Sequence, residues 1–314
     1  MAYAPPPLPP GPDPYALLAS SMPGAVEQVR ALLHSLPCPM PGLPPQLAAL
    51  VDCSLLQAAR NAPMAPWLAV DPRLLPPAVD HRALGLVGPV RDQGQVGSCT
   101  ANAVASIYDT AARRAGRQQL YGSALHIFAT YQEPGVDDYL SSLKRPSTSE
   151  AVWPYAGGKA CAFEDDDSRW SCASYYGTGT LSGYMHPAAI AERQRADSWP
   201  AFQATKVELM EASRDLNQLA AILATGEPLM VAVNMASNWM MADYAGEVLP
   251  PPQGYGGPHA LVLRGYRLGP YGREWLVQNS WGTQWGRGGF VYIPERSLLA
   301  TLEYSLRFTV RVLG

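Results

Sequence analysis

At 314 residues, 47% of them hydrophobic and 16% charged, the chain suits one large domain with a sizeable core and a smaller appendage. A net charge of −3 excludes the basic footprint of a nucleic-acid binder. The run from Ala31 to Val51 lacks acidic and basic residues except His34, but Pro37, Pro39, Pro41, Pro44 and Pro45 break it, so it cannot form a membrane helix. The opening residues show no basic stretch followed by an apolar core, so a soluble protein is expected, cytoplasmic or exported without a recognisable signal peptide.

Prolines crowd the first 90 residues. "PPPLPPGP" favours extended polyproline geometry. Two short helical patterns follow, "GAVEQVRALLHSL" and "PQLAALVDCSLLQAAR", each bounded by proline and too small to own a core. Residues 1–74 therefore read as an appendage and 75–314 as the globular domain. Within the latter, helices are expected from Cys99 to about Gly116, from Ser123 to Gln132 and from Val136 to Leu143. A further helix should run from Asp215 to Thr225, stopped by Gly226 with Pro228 beyond. Strand patterns dominate later, in "PLMVAVNM", "HALVLRGY", "EWLVQNS" and "GFVYIP". In the terminal "EYSLRFTVRV", Tyr304, Leu306, Phe308, Val310 and Val312 share one face. A helical half followed by an antiparallel half is an α+β layout.

Five cysteines (Cys38, Cys53, Cys99, Cys161 and Cys172) include no CxxC pair, so no metal site is expected. Cys161 and Cys172 bracket "CAFEDDDSRWSC", which suits either one small disulfide loop or two separate thiols. Cys99 opens a helix, where unpaired N–H groups and the helix dipole favour a thiolate. Either a nucleophile or a buried apolar cysteine fits that position. Of five histidines, His259 alone follows a glycine-rich loop, "GYGGP", and heads a strand, a rigid mount for a general base that would hold a thiolate–imidazolium pair. His34, His81, His126 and His186 read as packing or surface residues. Asn279, at the end of a strand, can orient an imidazole, and the indole of Trp281 can shield that bond from water. Gln93, six positions before Cys99, can join the Cys99 N–H in stabilising an oxyanion.

Together "VRDQGQVGSCTANA", "GPHALVLRGY" and "WLVQNSWGTQWGRGGF" resemble the papain-like cysteine peptidases over roughly residues 75–314, with "LPPAVDHR" as the start of the mature enzyme and "GSCTANA" in the style of bacterial members. The resemblance implies a two-lobe α+β fold, with a helical left lobe, an antiparallel barrel-like right lobe and an active-site cleft between them. It implies a cysteine endopeptidase working through a thioester, with Cys99 as nucleophile, His259 as base and acid, Asn279 as orienter and Gln93 as oxyanion donor. Trp281 would roof the primed side and Gly135 would pair with substrate backbone. No cofactor is implied, and the partner is a peptide or protein substrate. Residues 1–74, with their polyproline start and two short helical patterns, read from their own composition as an inhibitory pro-segment or a constitutive docking arm, and they do not match the long helical propeptide motif of the classical enzymes. Val96, at a position where many members carry a disulfide cysteine, and Thr100, in place of an aromatic, depart from the pattern. The same acyl-enzyme would serve a transpeptidase or peptide cyclase. A silent binding module would be expected to lack one of the four catalytic residues.

Overall fold

The computed structural model describes residues 70–132, 139–156, 187–210, 216–241, 244–270 and 272–313. The polyproline start, both N-terminal helical patterns, Gly135, His34, His186, Cys38, Cys53, Cys161 and Cys172 lie outside the described residues.

After a short 3-10 turn at Pro72–Leu74, the described elements in chain order are β1 (Val79–Asp80), α1 (Cys99–Arg114), α2 (Ala124–Tyr131), α3 (Tyr139–Leu143) and β2 (Ser147–Thr148). They continue with α4 (Pro187–Asp197), β3 (Pro200–Met210), α5 (Asn217–Ala224), β4 (Leu229–Met235), β5 (Gly257–Gly269) and β6 (Gly272–Gln278). β7 (Phe290–Pro294), α6 (Glu295–Thr301) and β8 (Leu302–Val312) complete them. Seven strands form an antiparallel path in the order β2-β3-β8-β4-β5-β6-β7, and β1 pairs with β5.

The helix boundaries follow local chemistry. The Ser123 hydroxyl accepts from the His126 N–H and caps α2. Gly226, at φ 83°, ends the region of α5 in a left-handed conformation that a β-carbon would disfavour. β8 is central, paired to β3 on one side and β4 on the other. Its alternation holds: Tyr304, Leu306 and Phe308 are buried, and Val310 and Val312 pack against the same cluster.

Two large cores result, beside a small cluster of Leu276, Phe290 and Tyr292. One packs α1 and α2, through residues such as Cys99, Val104, Tyr108 and Phe128, onto Ala232, Ala260, Val262 and Leu306 of the sheet. The other gathers Leu219 and Leu223 of α5, Leu298 of α6, the opposite strand residues Leu261 and Leu263, and Trp239, Trp275 and Trp285. Adjacent residues of β5 thus belong to different cores, as the two-residue period of a strand requires. This α+β arrangement has a helical lobe and a strand-rich lobe. Val96, 1% exposed, is part of the first core as an ordinary apolar residue.

Two elements have no clear signal in the sequence. β3 carries a register shift between Ala204 and Lys206, which breaks the alternation that would mark it as a strand. α4 is rich in Ala, Glu, Arg and Gln, and its Ile190 is exposed, so it lacks an apolar stripe.

Gly265 fixes where β1 docks. Its φ is 151°, and a β-carbon there would collide with the carbonyl of Val79, its neighbour across the β1–β5 pair. Gly265→Ala should therefore cost about 2 kcal/mol or more by strain and lost pairing. Urea denaturation monitored by circular dichroism measures this; an unchanged midpoint would show that β1 is not held there.

Candidate active site

The site is assembled where the N-terminus of α1 meets the start of β5 and the end of β6. Cys99 is the first residue of α1 and is fully buried. Its N-cap, Ser98, makes no side-chain cap bond. Instead the Ser98 hydroxyl lies 2.7 Å from the Tyr155 hydroxyl, and the Asn102 amide donates to the Ser98 carbonyl at 2.9 Å. Tyr155 in turn donates to the Gln93 carbonyl at 3.0 Å. The turn presenting Cys99 is thereby pinned by polar side chains that the motif reading did not single out. Tyr155 ends the short stretch "WPY", which carries no local signal for this contact.

His259 lies at the third position of β5 and is 2% exposed. Its Nε2 is 2.8 Å from Asn279 Oδ1. The same Oδ1 accepts the backbone N–H of Ser280 at 2.7 Å. A backbone N–H only donates, so the atom facing His259 is the oxygen and Nε2 must carry the hydrogen. In the neutral ring Nδ1 is then a bare lone pair, and it is buried with no hydrogen-bond partner. Burial pushes the pKa of His259 down to about 4, against the smaller opposing pull of Asn279. Desolvation thus works against the imidazolium that the expected thiolate–imidazolium pair requires. Trp281 lies beside the ring, centroid to centroid 4.6 Å, and stacks edge-on against Trp285 at 5.6 Å.

Gln93 is fully buried and bridges the two lobes. Its Oε1 accepts from the Ser280 hydroxyl at 2.6 Å, and its backbone N–H donates to the Ser280 carbonyl at 2.8 Å. One hydrogen of its amide goes to the Val96 carbonyl at 2.8 Å, which leaves the second hydrogen of the same NH₂. Ser280 is the residue that sequence reasoning passed over: it anchors both Asn279 and Gln93. Its only signal was its place between Asn279 and Trp281 in "QNSWG". Thr100, the departure after the cysteine, is fully buried with its hydroxyl unpartnered.

His259, Asn279 and Trp281 are in contact, Gln93 joins them through Ser280, and Cys99 opens the helix six residues after Gln93; Gly135 lies outside the described residues. His81 and His126 serve packing, as expected: His81 Nε2 is 2.8 Å from the Leu223 carbonyl, and His126 Nε2 is 2.8 Å from Asp197. Among the described residues no group of His, Cys, Asp and Glu is arranged to hold a metal ion. Nor, among them, is any helix long and apolar enough to cross a membrane.

A helix opening on a cysteine, set against an antiparallel sheet that offers histidine and asparagine, defines the papain-like α+β class. The profile of the family described as papain family cysteine protease matches residues 140–303, just over half of the chain. The chain belongs to that family. The matched stretch contains His259 and Asn279 but begins beyond Gln93 and Cys99. Ananain of Ananas comosus is 25% identical over 259 residues, covering 79% of this chain and 64% of ananain. A cysteine proteinase of Trypanosoma brucei brucei is 27% identical over 222 residues, covering 70% of this chain and 44% of its own length. The chain thus spans about half to two thirds of these relatives. Among solved structures, xylellain, a cysteine protease from Xylella fastidiosa, superposes with a TM-score of 0.56 at 21% identity, covering 81% of this chain and 96% of its own. A recombinant stem bromelain precursor gives 0.56 at 20% identity, covering 79% and 74%.

Another titratable group shielded from water lies two strand pairings away, across β4. Val233 of β4 faces both His259 of β5 and Leu302 of β8, and Glu303 follows at the register shift. Burial pushes its pKa from 4.5 up to about 7, and its Oε2 has no partner. Between those values the folded state holds a proton that the unfolded chain has released, so stability falls as pH rises from about 4.5 to about 7. Glu303→Gln should flatten that part of the stability profile, read from urea midpoints at pH 5 and pH 7. An unchanged slope would place the carboxylate in water.

Proposed function

We propose that the chain is a cysteine endopeptidase in which Cys99, His259, Asn279 and Gln93 carry the chemistry. The observation that supports this best is the state of His259. Its Nε2–H is committed to Asn279 and its Nδ1 lone pair has no partner, and Asn279 is tied through Ser280 to Gln93, six residues before Cys99.

The Cys99 thiol gives its proton to His259 Nδ1 as sulfur bonds to the peptide carbonyl carbon. The oxyanion is held by the Cys99 backbone N–H and by the second hydrogen of the Gln93 amide. As the tetrahedral species collapses, Nδ1–H protonates the departing amine and the C–N bond breaks, leaving a thioester. Water then gives a proton to Nδ1 and attacks the thioester carbon. The carboxylic acid leaves and the thiol is restored. Asn279 keeps the ring oriented through both steps, and Trp281 covers that hydrogen bond. The substrate is a peptide or protein backbone.

Residues 1–74 are proposed to act as an inhibitory segment that blocks the groove near Cys99 until removed or displaced. The polyproline start and the short proline-bounded helical patterns support this: a pre-stiffened stretch costs less entropy to order in a cleft. The complete burial of Cys99 accords with a site that must be uncovered before substrate enters.

Labelling with an epoxysuccinyl thiol-protease inhibitor should modify Cys99, located by peptide mass mapping. Modification of Cys38, Cys53, Cys161 or Cys172 in its place would overturn the assignment. Cys99→Ala should abolish turnover with an unchanged melting point. His259→Ala should lower kcat by about 10²–10⁴, while Asn279→Ala should retain more activity than that, since it orients rather than transfers the proton. Equal, complete losses would contradict this division.

On a short fluorogenic peptide, a chain starting at Leu75 should show higher kcat/KM than the full-length chain. Equal values, with the full-length chain still intact after the assay, would refute an inhibitory segment.

A further inference from the structure

Arg264 is fully buried in β5, five residues beyond His259. Its Nε donates to Gln278 Oε1 at 2.8 Å, its Nη1 to the Thr110 hydroxyl at 2.6 Å, and its Nη2 to the Ser106 carbonyl at 2.9 Å. Thr110 and Ser106 belong to α1, the helix that opens with Cys99. Gln278 ends β6 and directly precedes Asn279. One guanidinium therefore bonds the helix carrying the thiol and the strand end carrying the amide, from the strand that carries the imidazole. We propose that Arg264 is a positioning residue for the catalytic group, fixing the placement of Cys99 and Asn279 relative to His259. This rests on the catalytic assignment above and deepens it.

The geometry of the elements supports that role. From His259 to Arg264, five strand residues span about 17 Å. From Cys99 to Ser106 and Thr110, seven and eleven helical residues span about 10 and 16 Å. The helix and strand thus run alongside each other from the site to the Arg264 tie over comparable lengths. At the near end the lobes are joined through Gln93 and Ser280, and at the far end through Arg264. Two separated ties fix both the distance and the angle between α1 and β5, where one tie alone would leave a hinge.

A purely apolar contact would not define register so strictly. The planar guanidinium directs its donors at fixed angles, so a shift of α1 by one residue would break bonds inside a dry interior. Burial, Arg91 and Arg113 oppose the Arg264 cation, and Asp109 favours it. Asp109 of α1 lies within electrostatic reach of Arg264 while accepting both bonds from Arg91 Nη2, at 2.9 and 2.8 Å. Arg91 is two residues before Gln93, and its carbonyl accepts from the Gly282 N–H. The far tie is therefore connected to the near one through the segment that carries the oxyanion donor.

The test compares Arg264→Met, Arg264→Lys and Thr110→Val with the unaltered chain. Each is assayed on the same fluorogenic peptide at a temperature where circular dichroism shows it folded, and kcat is expressed per site titrated with the epoxysuccinyl inhibitor. Displacing reacting groups by about 1 Å costs on the order of 10²-fold, so Arg264→Met should lose about that in kcat per titrated site, with KM changed only a few-fold. Arg264→Lys keeps a cation but cannot bond three elements, so it should not rescue kcat. Thr110→Val, which removes one of the three bonds and nearly preserves side-chain shape, should lose less. A lower melting point with unaltered kcat per titrated site in Arg264→Met and Thr110→Val would reduce Arg264 to a structural residue and overturn the inference. Rescue by Lys would overturn it too, by showing that charge alone matters. Absence of both turnover and Cys99 labelling in the unaltered chain would instead overturn the catalytic assignment, and the inference with it.

Discussion

The site exists only because two separately packed cores meet at a seam of buried hydrogen bonds, and the bond between Gln93 and Ser280 is the one on which the others depend. Gln93 precedes the turn that presents Cys99, and Ser280 follows Asn279. Their side-chain bond of 2.6 Å and backbone bond of 2.8 Å hold the loop before Cys99 against the strand end that carries Asn279. Apolar packing alone is non-directional and would leave such a seam free to slide. Buried polar bonds are specific in angle, and losing one partner leaves the other unsatisfied in a dry environment. The asymmetry makes the seam selective for a single arrangement.

The same logic settles the chemistry of His259. The Ser280 N–H identifies the Asn279 oxygen, the oxygen identifies the imidazole tautomer, and the tautomer makes Nδ1 the basic atom. A backbone amide one residue beyond the triad thus dictates which nitrogen can receive a proton. No charge is required for this. Asn279 is neutral, so the ring is oriented without the stabilisation of its cation that a carboxylate would bring.

Much of this was legible in the sequence, and where it was not, the reason is physical. Cys99, His259 and Asn279 were exposed by position: a helix start, a strand start behind glycines, and a strand end. Each of those is marked by local chemistry. β8 was legible because its alternation from Tyr304 to Val312 is unbroken, whereas β3 was hidden by its register shift. α4 was hidden because most of its residues favour helices without forming an apolar face. Ser280, Tyr155 and Arg264 were invisible for a different reason. Their roles depend on partners 187, 62 and 154 residues away along the chain, and no local pattern encodes such a pairing. An arginine within the apolar run "HALVLRGY" was nevertheless a signal, since a strand buried on both faces accepts a cation only where donors and acceptors are waiting.

Burial also couples access to reactivity. With Cys99 fully buried and His259 2% exposed, desolvation pushes the imidazole pKa down to about 4. Water reaching the ring would relieve that desolvation and return the pKa toward the ordinary 6.5. The hydrogen bond to Asn279 acts in the same direction, so the contact that orients the ring also eases a proton onto it. Exposure and basicity are therefore linked at His259: the more the ring is wetted, the more readily it carries charge.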